Sequence, residues 1–211
     1  MNTPILPPLV VEIVQTAASA VEGVTFTKHS VCPACGGPLV GYDTKRKQYA
    51  HLKTKDDGTR TIYVGIRRFY CRDCHRFCLA DNPFYPDTRI GSVVIDLCIA
   101  LSMTIPVNRV PAYLAAMGIL VDRSSCRLYT QHISSCHVRI NTRYLDINNN
   151  LGIHLPLSVL SLSSLAIVHD DGNPIDETDI LTACDFPSSP RKACNFPLPQ
   201  KRWINRDDIG Y

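Results

Sequence analysis

Two short cysteine turns constrain this chain more than anything else in it. Cys32 and Cys35 close one Cys-x-x-Cys turn, Cys71 and Cys74 close another, and 35 residues lie between them. Two intervening residues let one tight turn aim both thiolates at a single ion. Two such turns complete a tetrahedral shell around zinc, and a shell with no open position is structural rather than catalytic. Between the pairs run two strand-like stretches, roughly 48–53 and 61–70. They are joined by KTKDDGT, in which Asp57-Gly58 is a strong hairpin signal. Turn, hairpin, turn is the layout of a zinc ribbon, expected over residues 28–81 behind an N-terminal helix in residues 1–27. Four buried cysteines that never meet are the plain alternative. A redox Cys-x-x-Cys lacks the βαβ setting that it needs. His75 and Cys78 extend the second turn; either could substitute for a ligand, but both read more readily as supporting or core groups.

Ten cysteines are many for 211 residues. Glu12 and the lack of a basic residue before Lys28 do not fit a secretory signal, so the thiols are expected to be reduced and the protein cytoplasmic. Metal binding or burial then accounts for them better than disulfides do. Hydrophobic residues make up 45% and charged residues 19%, which excludes wholesale disorder and a coiled coil. The apolar stretch 91–107 is interrupted by Asp96 and Pro106 and is too short to span a membrane.

The net charge of +3 conceals an asymmetry. Residues 41–90 carry eleven basic and six acidic groups, and residues 91–145 carry five and two. Residues 146–211 reverse the balance, with five basic and nine acidic. A basic middle is the electrostatic footprint expected of a nucleic-acid surface, with an ordinary solvated face as the alternative that charge alone leaves open. In the ribbon, Arg67, Arg68, Arg72 and Arg76 are the candidate contacts, interleaved with Tyr63, Phe69 and Tyr70.

Residues 82–87 hold two prolines and read as a linker. Beyond it, 88–145 is expected to be a three-helix domain. GSVVIDLCIALSM (91–103) is the first helix. A second is capped by Asn108, with Pro111 tolerable in its first turn, and runs to about Met117; Gly118 stops it. A third starts near Asp122 or Ser124 and ends about Cys136. The small residues Ala112, Ala115 and Ala116, the turn glycine and a polar outer face suit a helix–turn–helix, with an ordinary two-helix packing unit carrying solvated arginines as the plain alternative. Arg123, Arg127 and Gln131 lie four apart on one face, with Cys126, Tyr129 and Ile133 opposite. Ser124 or Ser125 can bond a phosphate at the helix start, Arg suits guanine and Gln suits adenine.

The stretch IRRFYCRDCHRF, a linker, then GSVVIDLCIALSM and VNRVPAYLAAMGILVDRSSCRLYTQHI resemble the N-terminal half of insertion-sequence transposases of archaeal and bacterial type. The resemblance covers roughly residues 28–140. Its most specific parts are the cysteine pairs and the Arg68-x-Tyr70-Cys71-x-x-Cys74 pattern. His75 stands where the family often has glycine; the first turn keeps Gly36. The resemblance implies a zinc ribbon joined to a helix–turn–helix. It also implies double-stranded DNA as partner, in particular the inverted repeats at element ends, and a nucleoid-associated place in the cell. A homodimer is left open.

Such transposases continue into a nuclease of RNase H-like fold that uses carboxylates and two divalent metals. Leu165–His169 followed by Asp170 and Asp171 is the weak candidate for a first catalytic strand with magnesium ligands. Only 61 residues follow Asn150, too few for that fold. The tail is expected to be irregular and partly β, with strand-like 157–162 and 165–169, as an acidic segment 146–211 or the start of a truncated catalytic domain. Cys98, Cys126 and Cys136 are expected to pack as small hydrophobes, and Cys184 and Cys194 to bind no second metal. The fold class is therefore α+β. The leading function is a transposase-derived DNA-binding protein with structural zinc and no complete nuclease. The alternatives are a magnesium-dependent transposase, and a zinc-ribbon transcription regulator or protein-interaction module.

Overall fold

The computed structural model describes residues 4–29, 31–54, 56, 58–135, 140–148, 151–169 and 175–186. The long hairpin is its spine. Strands β2 (Leu39–Lys53) and β3 (Thr59–Cys71) pair antiparallel from Leu39 opposite Cys71 to Lys53 opposite Thr59. The Thr54 amide donates to the Gly58 carbonyl at 3.0 Å across the turn. The other edge of β3 takes β1 (Thr25–Phe26) in parallel and β4 (Phe77–Leu79) antiparallel. Along β3, Ile62, Val64 and Ile66 are buried, the period of two expected of a half-buried strand.

Helix α1 (Pro8–Ser19) begins with proline in its first turn, where no amide is needed. Val10, Val14, Ala17 and Ala18 form its buried face, while Ile5 and Leu9 stay exposed. Helix α2 (Ser92–Ser102) is buried from Ser92 through Leu101, as befits a helix apolar all round. Its one carboxylate, Asp96, accepts from Tyr85 Oη and Ser158 Oγ, both at 2.6 Å, which satisfies a group that is otherwise costly to bury.

Helix α3 (Val110–Ala116) starts later than its sequence suggests. Arg109, not Asn108, is the N-cap residue, and no side chain caps the helix; Pro111 sits in the first turn. Gly118 then turns the chain with φ +82°, and the Gln15 side chain lies where a Cβ would project. The end of β2 fastens this turn. Lys53 donates its amide to the Gly118 carbonyl at 2.8 Å, and Leu120 donates to His51 at 2.9 Å. Helix α4 (Arg123–Ser135) follows and packs on α2, where the sulfurs of Cys98 and Cys126 lie 3.7 Å apart in the core.

Residues 82–87 are not a loose linker. Pro83, Phe84 and Tyr85 are buried, and the amides of Gly91 and Ser92 bond back to Tyr49 and Pro83 at 2.8 and 2.9 Å.

The C-terminal stretch differs most from expectation. Its strands are β5 (Thr142–Asn148) and β6 (Leu151–Pro156), a hairpin. The runs 157–162 and 165–169, read as strands, form one helix, α5 (Leu157–Val168), with His169 as its C-cap residue. The extended Pro156 sets up its start, and twelve residues exceed the usual length of a buried strand. Helix α6 (Glu177–Ala183) is capped by Asp176, which accepts from the Thr178 amide at 2.6 Å. Several acidic residues thus have structural roles. Glu177 accepts from the Thr27 hydroxyl at 2.8 Å and from the Thr27 amide, and Asp176 lies 3.4 Å from Lys28 Nζ. One cluster of buried residues, from Val10 through β2, β3, α2, α3, β6 and α5 to Phe186, joins these parts. The fold is α+β. Among the described residues no helix is long and apolar enough to cross a membrane.

Candidate metal centre and nucleic-acid interface

The hairpin brings the two cysteine turns together, because β2 begins just after the first turn and β3 ends in the second. Cys32 Sγ lies 3.6 Å from Cys74 Sγ, and Cys35 Sγ lies 3.4 Å from Cys71 Sγ. All four sulfurs fall within 4.8 Å of one another. Four thiolates at about 2.3 Å from zinc stand about 3.8 Å apart, so the cluster has the size of a zinc tetrahedron. These separations are far too long for disulfides.

The turns share one backbone plan. Cys32 donates its amide to Gly37 at 3.0 Å and Cys71 donates to Arg76 at 2.9 Å, five residues on in each case. The residue after each second cysteine is left-handed: Gly36 at φ +74° and His75 at φ +56°. His75 thus does with a side chain what Gly36 does without one, at about 1–2 kcal/mol of backbone cost. Its Nδ1 bonds Tyr70 Oη at 2.8 Å. The turns also touch directly, since the Asp73 carboxylate occupies the space beside Gly37.

Crowding of four thiols shows in their acidity. Amides of Ala34 and then Cys35 favour the Cys32 thiolate and bring it down to about 7, against the opposing effect of desolvation. Cys35 is pushed up to about 12. Its largest single influence, the Gly37 amide, favours the thiolate, but the sulfurs of Cys71 and Cys74 and desolvation outweigh it. A group of thiols that cannot all ionise together is what a dication relieves. Cys78 lies outside the four; partial burial, then the charges of Cys32 and Cys71, raise it.

The basic residues of the hairpin separate into two kinds. Arg67, Arg72 and Arg76 are exposed. Arg68 is only 14% exposed, and its Nε and Nη2 donate to the two carboxylate oxygens of Asp43. The β2 irregularity between Gly41 and Thr44 puts Asp43 there. That pair holds the Asp43 carboxyl below its ordinary value and raises Arg68. Arg68 also stands 5.3 Å from the Tyr42 ring and 5.7 Å from that of Phe77. Its charge is therefore already matched. Lys47 is likewise drawn inward over Phe84 at 3.9 Å, and desolvation brings its ammonium down to about 8, with Asp87 pulling the other way.

On α4, Arg123, Ser124, Arg127 and Gln131 are all exposed, and Cys126, Tyr129 and Thr130 are buried. The Ile133 side chain lies outside the described ones. Asp122 caps the helix: it accepts from the Ser125 amide at 2.8 Å and the Ser125 hydroxyl at 2.5 Å, which holds its carboxyl down at about 2. Ser125 is therefore committed to Asp122. A cleft of about 220 Å³ opens beside α4, lined by Val107, Asn108, Arg123, Arg127, Thr130 and Gln131.

The sequence did not place two residues at this site. Asn108 reaches the cleft only because the α2–α3 connection folds beside α4. Leu128, 52% exposed on α4, breaks the polar face that the spacing suggested. Asp170 and Asp171 lie outside the described residues, as do Cys136 and Cys194. Comparison with protein-family models, curated proteins and solved structures gives no match for this chain.

Proposed function

We propose that this protein binds double-stranded DNA, with Cys32, Cys35, Cys71 and Cys74 holding one structural zinc ion as a zinc ribbon. In this reading α3, the Gly118 turn and α4 act as a helix–turn–helix. Arg123, Ser124, Arg127 and Gln131 face the DNA, and Arg67, Arg72 and Arg76 add phosphate contacts from the ribbon. Arg68 supports the ribbon instead, through Asp43. The observation that carries the reading is the outer face of α4: two exposed arginines, a serine and a glutamine beside a cleft whose lining contains no carboxylate. Descent from insertion-sequence transposases rests on the sequence resemblance, and element ends are the DNA that it implies.

The test is selection of bound duplexes from a random pool by the zinc-loaded chain, followed by Arg123→Ala/Arg127→Ala. The double variant is expected to lose at least tenfold in affinity at moderate salt, with a shallower dependence of affinity on salt. Unchanged binding by that variant contradicts the assignment of α4.

A further inference from the structure

The cleft beside α4 has a lining that selects among DNA groups. We propose that it seats one phosphodiester of the DNA backbone, with Asn108 as a binding residue alongside Arg123 and Arg127. The proposal rests on the DNA-binding reading above and refines it. Six residues line the cleft: two guanidiniums, two carboxamides, one hydroxyl and Val107. Guanidinium forks and carboxamide N–H groups donate well to a phosphate, and no carboxylate in the lining repels one. An extrahelical base is held best against an aromatic face, and no aromatic residue lines the cleft.

The arginines remain available for this. Among the described residues neither Arg123 nor Arg127 forms an ion pair. The neighbouring carboxylate, Asp122, is turned to the Ser125 amide and hydroxyl. The mouth of the cleft is also set by the core. Asn108 precedes α3, whose Val110 and Leu114 are fully buried, and the arginines ride on α4, whose Cys126 meets Cys98 of α2. Donors on α4 and on the loop leading into α3, both tied to the core, are positioned before the ligand arrives. Arg123 and Arg127 then hold backbone, and exposed Ser124 and Leu128, which do not line the cleft, are left to meet base edges.

The experiment uses the full zinc-loaded chain and fluorescein-labelled duplexes of several unrelated sequences, with Kd measured from low to moderate salt. Asn108→Ala is expected to weaken binding about tenfold on every duplex with the salt slope unchanged, because a neutral donor is lost. Asn108→Asp is expected to weaken it further, by repulsion. Arg127→Ala is expected to lower the salt slope by about one. Asn108 is exposed, and matching circular dichroism melts verify that its variants fold. If both Asn108 variants bind like the parent while Arg123→Ala/Arg127→Ala does not, the phosphodiester seat is overturned and the DNA-binding reading stands. A loss confined to particular base pairs also overturns it, since Asn108 would then read a base. Unchanged binding by the double arginine variant overturns the broader reading.

Discussion

From Val40 to Arg46 every residue of β2 is exposed, whereas Tyr49, Ala50 and Leu52 are buried. The same hairpin therefore has one exposed end and one buried end. At the inner end, β2 and β3 lie in the main core with α1 and α2. At the cysteine end, the apolar contacts are a few partly exposed rings, with Tyr42 and Tyr70 4.9 and 5.2 Å from Phe77. A few rings and two crowded turns bury too little to order such a segment, the shortfall that a structural metal makes up in small units. Burial places the surface at one end, and under the proposed reading a metal held by the four cysteines places it at the other. Here α4 is mounted on the core, and the basic residues around Cys71 are mounted on the cysteine cluster.

The largest effect that separates the ends is expected from Cys71→Ser. Binding of structural zinc is worth about 10–16 kcal/mol in finger peptides, so losing a ligand should abolish metal binding and release residues 31–47 and 67–79. Mass spectrometry under native conditions, with circular dichroism, should find no zinc but the helices intact. Next comes Leu114→Ala, which removes a fully buried side chain from the core. It should lower the stability of the core by about 2–5 kcal/mol in urea unfolding while leaving zinc content at one ion. The smallest is His75→Gly. It relieves a left-handed residue at about 1–2 kcal/mol but loses the Tyr70 bond, worth about 0.5–1.5 kcal/mol. Zinc affinity in chelator competition should move by about tenfold at most. A much larger loss would show that His75 does more than shape the turn.

What the sequence made legible follows from how local each feature is. The cysteine turns and the hairpin are local: a two-residue spacing and an Asp-Gly turn suffice. Helix α4 was legible from its periodicity, and α2 from the length of its apolar run. Helix α5 was not, because an apolar run such as LSVLSLSSLAIV suits a buried strand or a buried helix until its packing on α1 is known. The matched charge of Arg68 depends on an irregularity that puts Asp43 opposite it, and no spacing rule forecasts that. Asn108 read as a helix cap, when its place is at a cleft made by two helices. The acidic residues Asp176 and Glu177 read as an undirected tail, yet they bind residues 27 and 28, some 150 positions earlier. Pairwise tertiary contacts of this sort are where a single sequence is least informative.

Hydrogen exchange of the zinc-loaded chain, with and without a strong chelator, separates the two ends of the hairpin. Chelation should strip protection from residues 31–47 and 67–79 while 92–102 and 110–116 keep theirs. Protection lost uniformly across the chain, or not lost at all, would contradict it.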